Sequence, residues 1–247
     1  DTIASDVIIH NGVSWTFFSR GPLKAAYPNF PIGLTGRDLR VLSDFESTKK
    51  ALKDQGVDIA RVSAPSNLPV PDHGEVIKLP ETRIEDLEQW DSGSLSSQTR
   101  RKVRRCHRSG LSIRGATERD SKRLHALYLD TIRRHRSTAK YTLRYFERLC
   151  QAACISDDIV VAKAMIKEEI AGFIVLKFDE ECVHYLHGGY DDKYSKLRPG
   201  FFTMEWAIQH GKRREKKKFN FLTSPVDQPA LRAYKESFGG SSYFRSH

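Results

Sequence analysis

The sequence predicts a mixed α/β protein built on a mixed, largely antiparallel sheet flanked by helices. Three observations carry this. Residues 117–238 alternate between helical and two-residue periodicity in the order helix, helix, strand, strand, strand, helix, strand, helix. Three strand-like runs joined by tight turns read as an antiparallel meander, and the strand–helix–strand passage after them calls for a parallel neighbour. The first 95 residues repeat the mixture on a smaller scale, so a reduced α/β unit precedes the main one.

The elements follow in order. Residues 7–10 and 13–18 are rich in β-branched and aromatic side chains and read as strands. Pro22, Pro28 and Pro31 mark the next stretch as loop. Residues 37–55 carry Leu39, Leu42, Phe45, Ala51 and Leu52 on one helical stripe, and Gly56 stops the helix. Residues 57–62 and 76–79 read as short strands on either side of a proline-rich loop. At 96–114 the composition changes abruptly: Leu95, Thr99, Val103 and Cys106 line one narrow helical face, arginines cover the rest, and Gly110 is a natural C-cap. A boundary beside this helix gives two units, 1–95 and 96–247.

Thr117 and Asp120 form a capping box for a helix with Leu124, Leu127, Tyr128, Thr131 and Ile132 inward. A second helix starts at Thr142. Strands at 159–166 and 170–178 meet at the Lys167-Glu168-Glu169 turn, and a third spans 182–186. Helix 200–211, strand 219–222 and helix 228–238 complete the chain.

Composition narrows the function classes. A hydrophobic share of 39% supports a packed core and excludes wholesale disorder. The formal net charge of +10 favours an anionic partner: a nucleic acid, a phosphorylated cofactor or an anionic membrane surface. Cys106, Cys150, Cys154 and Cys182 form no CxxC pair and have no histidine at ligand spacing, so reduced thiols and no metal are expected, which fits a cytoplasmic location. No apolar run has the length of a membrane span, and Asp1-Thr2-Ile3-Ala4-Ser5 lacks a signal-peptide pattern.

The chemistry concentrates in 183–202. A strand bearing His184, Tyr185 and His187 runs into Gly188-Gly189, and a loop ending Arg198-Pro199-Gly200 opens an apolar helix. The free N–H groups and positive dipole end of such a helix suit a phosphate or a carbonyl oxygen, Gly200 allows close approach, and Arg198 adds charge. Strand alternation places Tyr185 and His187 on one face, expected to be the cleft, with Asp191 nearby; these three are the candidate catalytic residues. Arg134 sits in a cationic helix end that could grip an anionic acceptor, and the basic run 212–218 reads as a solvated turn. Gly-x-Ser-x-Gly, Walker and zinc patterns are absent.

The run His184-Tyr185-Leu186-His187-Gly188-Gly189, then Tyr194 and Leu197-Arg198-Pro199-Gly200, then Trp206-Ala207-Ile208, resembles the Fem-like acyltransferases of the GNAT superfamily. So do Phe219-Asn220-Phe221, Tyr234-Lys235-Glu236-Ser237-Phe238-Gly239-Gly240, and the arginine-rich stretch from Thr99 to Arg105. The resemblance covers roughly 95–240, with 1–95 matching loosely as a reduced GNAT-like unit. It implies a GNAT-like fold and transfer of an acyl or aminoacyl group to an amine by direct attack. The amine acceptor would be a small molecule, a cell-wall precursor or a peptide. It implies donor-binding roles for Arg198, Gly200, Phe201, Phe202 and Lys235, with no permanently bound cofactor and acyl-CoA or aminoacyl-tRNA as co-substrate. The Gln/Arg-x-x-Gly-x-Gly/Ala signature of CoA binders is absent, and the basic clusters suit tRNA. Arg101 and Arg105 are the candidate acceptor or polyanion contacts beside Arg134. A second reading is a non-catalytic basic RNA-binding module on the same fold, with its footprint on 100–108 and 212–218.

Overall fold

The computed structural model describes residues 3–29, 33–34, 44–65, 78–135 and 137–246. The expected helical residues Leu39 and Leu42, the strand start at 76–77 and Pro31 lie outside them. The chain forms two compact units: Asp1–Glu81 with Thr223–Gln228 and Tyr243–His247, and Thr82–Leu222 with Pro229–Ser242. Residues 82–95 therefore cluster with the larger unit.

The smaller unit holds β1 (Ile3–His10), β2 (Val13–Arg20), β3 (Leu23–Pro28), α1 (Phe45–Asp54), β4 (Ile59–Ala60) and β5 (Ala64–Pro65). Strands β1 to β4 form one sheet in chain order, antiparallel until β4 joins β3 in parallel. Asn11 and Gly12, at φ 50° and 77°, make the tight hairpin turn whose twist matches the strands. Val13, Trp15, Phe17, Ala26, Leu34 and Leu52 form its core. Strand β3 corrects the expectation of a loop: Pro22 and Pro28 bound it instead of breaking it.

Strand β6 (Lys78–Ile84) leads into the larger unit. There follow α2 (Ser97–His107), β7 (Leu111–Gly115), α3 (Ser121–Arg134), α4 (Leu143–Ile155), β8 (Ile159–Ile166), β9 (Glu169–Phe178), β10 (Cys182–Tyr190), α5 (Pro199–Arg213), β11 (Lys218–Thr223), α6 (Pro229–Glu236) and β12 (Ser241–Ser246). The hydrogen-bonded order is β12-β6-β11-β10-β9-β8-β7. Strands β7 to β10 pair antiparallel, and β10 pairs β11 in parallel. Strands β7 and β12 were not foreseen, and β10 runs four residues further than its sequence suggested, through Gly188-Gly189.

The sheet separates two cores. Helix α5 packs on one face, where Val183, Met204, Ala207, Ile208, Phe219 and Phe238 are buried together. Helices α3 and α4 pack on the other through Leu124, Leu127, Phe146, Leu149, Phe173 and Val175. Two glycines set these approaches. A Cβ on Gly211 would stand 2.7 Å from Val183 Cγ2, and one on Gly189 would stand 2.8 Å from Phe173 Cε1 and from Thr131 Oγ1. The foreseen capping box at Thr117–Asp120 forms and also ties in Lys163, whose ammonium lies 2.7 Å from Asp120.

Candidate functional site

The site grows out of the way β10 and β11 separate. They pair at only three rungs: Cys182 with Lys218, Val183 with Phe219, and His184 with Asn220. Beyond that rung β10 continues to Tyr190 with no strand partner on that side among the described residues. Strand β11 bends at Leu222, which takes a left-handed φ of 60°. That conformation is costly for a branched side chain and persists only where the surroundings hold it. Asn220 Oδ1 accepts from the Leu222 N–H at 2.7 Å, and Lys235 Nζ donates to the Leu222 carbonyl at 3.0 Å. Lys235, placed by sequence at the donor end, is thus a buried lysine fastening the bent end of β11.

The loop from β10 to α5 ends in a second left-handed residue, Arg198, at φ 59° and ψ 47°. Its carbonyl accepts from the N–H groups of Phe201 and Phe202 and from the Cys106 thiol at 3.4 Å. Burial pushes that thiol up to about 11, which keeps it protonated as a donor. The Arg198 side chain is exposed, and among the described residues no hydrogen bond or ion pair engages it. Gly200 has room: a Cβ there would lie 3.7 Å from its nearest neighbour, so packing does not require glycine. Its carbonyl accepts from Tyr234 Oη at 2.9 Å. The Tyr234 hydroxyl is held well above its ordinary pKa, chiefly by burial and then by the neighbouring phenols. Phe201 packs edge-on to Tyr234 and lies under Lys102 Nζ at 4.6 Å, whereas Phe202 points into the core beside Cys106 and forms no wall of the turn.

The expected pairing of Tyr185 with His187 on one face does not occur. Register against β9 passes from Tyr185–Leu176 to His187–Val175, so Leu186 is an extra residue, a β-bulge. The bulge sends Tyr185 to the α5 side and His187 to the α3/α4 side. Tyr185 is half-buried beside Gly188, its pKa raised to about 12 by burial. His187 is packed among Tyr141, Tyr145, Phe146 and Tyr128, with Nε2 2.8 Å from Tyr145 Oη. Burial drives its pKa down to about 3, so it is neutral and a poor proton acceptor.

Asp191 and Arg134 are also engaged. Asp191 forms a short ion pair with Arg123, and its other oxygen accepts from Lys193 N at 2.9 Å. Arg134 reaches the Tyr190 carbonyl at 3.1 Å, Thr131 and Asp192, and stacks over the Tyr190 ring. Together these side chains clamp the β10–α5 loop onto α3.

Arg101 and Arg105 behave differently. Both are exposed on α2, and the guanidinium groups of Arg100, Arg101, Arg104, Arg105 and Arg108 have no hydrogen bond or ion pair among the described residues. The opposite face of α2, through Cys106, Lys102 and His107, grips the start of α5; His107 Nε2 lies 3.4 Å from the buried Glu205 carboxylate. A separate cleft of about 470 Å³ between α5 and β7–β8 is lined by Val160, Trp206, His210 and Arg214 and does not include the Arg198–Gly200 turn.

Among the described residues no cluster of His, Cys, Asp or Glu could hold a metal ion, and no helix is long and apolar enough to cross a membrane.

Comparison with known proteins agrees with the fold. A family model described as an acetyltransferase (GNAT) domain matches residues 94–236. Among solved structures, FemX superposes with a TM-score of 0.67 at 12% identity over 99% of this chain and 88% of its own. The C-terminal domain of a putative lysylphosphatidylglycerol synthetase from Agrobacterium fabrum gives 0.66 at 15%, over 97% and 82%. A GCN5-related N-acetyltransferase from Kribbella flavida gives 0.55 at 13%, over 98% and 88%. At these identities the superpositions show a shared fold. No curated protein sequence matches the chain significantly.

Proposed function

This chain belongs to the acetyltransferase (GNAT) domain family and is an acyltransferase of Fem-like fold, and on that premise we propose that it moves an acyl or aminoacyl group onto an amine by direct attack in a ternary complex. The donor's phosphates lie at the turn Arg198–Gly200, against the Gly200 N–H and the positive end of α5, the Phe201 and Phe202 N–H groups being engaged by the Arg198 carbonyl. The observation that carries this is the contrast at that turn. Its backbone is fixed from three sides, by Cys106, Tyr234 and the Phe201 and Phe202 amides, while the Arg198 guanidinium and the space above Gly200 remain open. A preorganised cradle with an uncommitted charge is what anion binding at a helix start requires.

Acyl-CoA and aminoacyl-tRNA both fit the turn. The second is favoured by α2: one face grips the start of α5 and the other carries arginines without partners among the described residues, so a polyanion could lie along that helix with its reactive end at Gly200. The apolar side of α2 is buried, so the helix has no hydrophobic face to offer a lipid bilayer. The acceptor is an amine on a cell-wall precursor, a lipid headgroup, a peptide or a smaller molecule. Native mass spectrometry of freshly purified protein, with and without nuclease, tests the donor: co-purifying RNA that nuclease removes supports tRNA, and a CoA-sized adduct supports acyl-CoA. Absence of both, together with no transfer from either donor, overturns the reading.

A further inference from the structure

Two histidines of β10 differ in a way that bears on the reaction. His187 has its polar contact satisfied by Tyr145. His184, three residues earlier, does not: it is 3% exposed, and its Nδ1 is buried without a hydrogen-bond partner among the described residues. Buried polar atoms left unpaired are uncommon and concentrate where function uses them. His184 also stands at the last rung shared by β10 and β11, opposite buried Asn220, with Lys177 as its rung partner on β9. A polar row thus crosses three central strands at the point where two of them part.

The other ring nitrogen defines the tautomer. His184 Nε2 lies 2.9 Å from Asp179 Oδ2. Asp179 Oδ1 accepts from the N–H groups of Cys182 at 2.6 Å and Glu181 at 2.9 Å. Burial alone would raise this carboxyl, but the His184 ring and those N–H groups outweigh it and hold it at about 2, so it is an anion. A carboxylate only accepts, so in the neutral ring the hydrogen sits on Nε2 and Nδ1 carries the lone pair. The charged groups around the pair are Lys177 on β9 and Lys216, which donates to the Asp179 and Glu180 carbonyls. Asp179 is 42% exposed and links the buried ring to solvent.

We infer that His184, oriented by Asp179, accepts the proton of the attacking amine where β10 and β11 separate. The inference rests on the acyl-transfer reading above. The acceptor arrives as an ammonium ion and gives one proton to Nδ1, directly or through one water. The neutral nitrogen attacks the donor carbonyl, the N–C bond forms and the bond from carbon to the leaving oxygen or sulfur breaks. A second nitrogen-bound proton goes to that leaving atom, and the third stays on the amide. The imidazolium, stabilised by the Asp179 carboxylate, returns its proton to solvent. Alternation had placed His184 away from the cleft, and the bulge at Leu186 removes the ground for choosing His187 over it.

The test uses full-length protein and two readouts. In long-range nitrogen–proton NMR of histidine-labelled protein, the signal lost in His184→Gln should show Nε2 protonated and Nδ1 bare, and Asp179→Asn should change that pattern. With acetyl-CoA or alanyl-tRNA as donor, His184→Gln should lower kcat about 10²–10⁴-fold with a primary alkylamine such as ethanolamine, leave acceptor KM within about threefold, and flatten the acidic limb of the pH profile. With hydroxylamine, already neutral at pH 7, the loss should be at least about tenfold smaller, because no proton need be removed first. Equal losses with both amines mean a structural role and overturn the inference, as does a protonated Nδ1 or turnover that survives the substitution. No transfer by the wild type from either donor refutes the acyltransferase reading itself, and the NMR arm then still reports the tautomer.

Discussion

The basic residues of α2 and those of the run 212–218 look alike in sequence and have opposite fates in the structure. Every engaged cation of the run finds its partner within the protein. Lys212 bonds the Trp90 carbonyl, Arg214 the Asp157 carbonyl, Lys216 the Asp179 and Glu180 carbonyls, Lys217 pairs with Glu181 and Lys218 with Glu85. The four arginines of α2 and Arg108 at its C-cap have none among the described residues. Charge density in a sequence therefore says little about binding. What separates a solvated, tied-down turn from a surface built for a partner is whether the fold supplies the counter-groups. The same test divides β10: His187 is satisfied within its aromatic block, while the Arg198–Gly200 turn further along holds uncommitted groups.

The sharpest way to break this contrast is at the satisfied end. His187→Ala should cost about 3 kcal/mol of stability by opening a hole among four aromatic rings, and leave transfer chemistry unchanged in the surviving folded protein. Chemical denaturation and turnover per folded molecule check it. The same residue gives a pH signature. In the fold its pKa is about 3 against 6.5 unperturbed. The unfolded state thus binds the extra proton between those values. Stability is full above about 6.5 and falls as pH drops toward 3, by up to about 1.4 kcal/mol per unit. A His187→Phe variant should lose that part of the acid sensitivity; an unchanged slope would contradict the neutral, aromatic-packed ring.

At the uncommitted end, Gly200→Val should keep the melting temperature within a few degrees, since a Cβ fits there, yet weaken donor binding by about 2–3 kcal/mol through lost anion contacts. Calorimetric titration with the donor measures it, and unchanged affinity would remove the turn from the site. Next in size, Arg101→Ala with Arg105→Ala should reduce the log–log salt slope of tRNA binding by about 1.4, two contacts at about 0.7 each. Equal slopes would make these arginines ordinary solvated charges. Smallest is the control: Lys216→Ala with Lys217→Ala should leave RNA affinity alone and change stability by no more than about 1 kcal/mol, as exposed pairs do.

Much of the larger unit was legible because α3, α4, α5 and the strands between them keep one apolar face at constant period, and Thr117–Asp120 is a self-contained capping signal. The misses have local causes. Strand β7 is five residues with one clear inward leucine, and β12 follows Gly239-Gly240, which reads as an ending. Of the site, the Arg198–Gly200 turn was visible because helix starts are written in adjacent residues. The bulge at Leu186 was not, since it is a property of pairing with β9 and leaves no mark on β10 alone. Because alternation was trusted through it, Tyr185 and His187 were grouped together and His184 was set aside. Its partner Asp179 belongs to a turn that sequence marks only as a break between strands.

The account's central claim is that the donor sits on the turn that opens α5. Backbone amide NMR of nitrogen-labelled protein, titrated separately with acetyl-CoA and with alanyl-tRNA, addresses it directly. The account predicts that for one donor the Gly200, Phe201 and Phe202 amides shift most and saturate together with the Arg198 guanidinium signal. Saturable shifts confined to the Trp206–His210 cleft, with those amides unmoved, would contradict it.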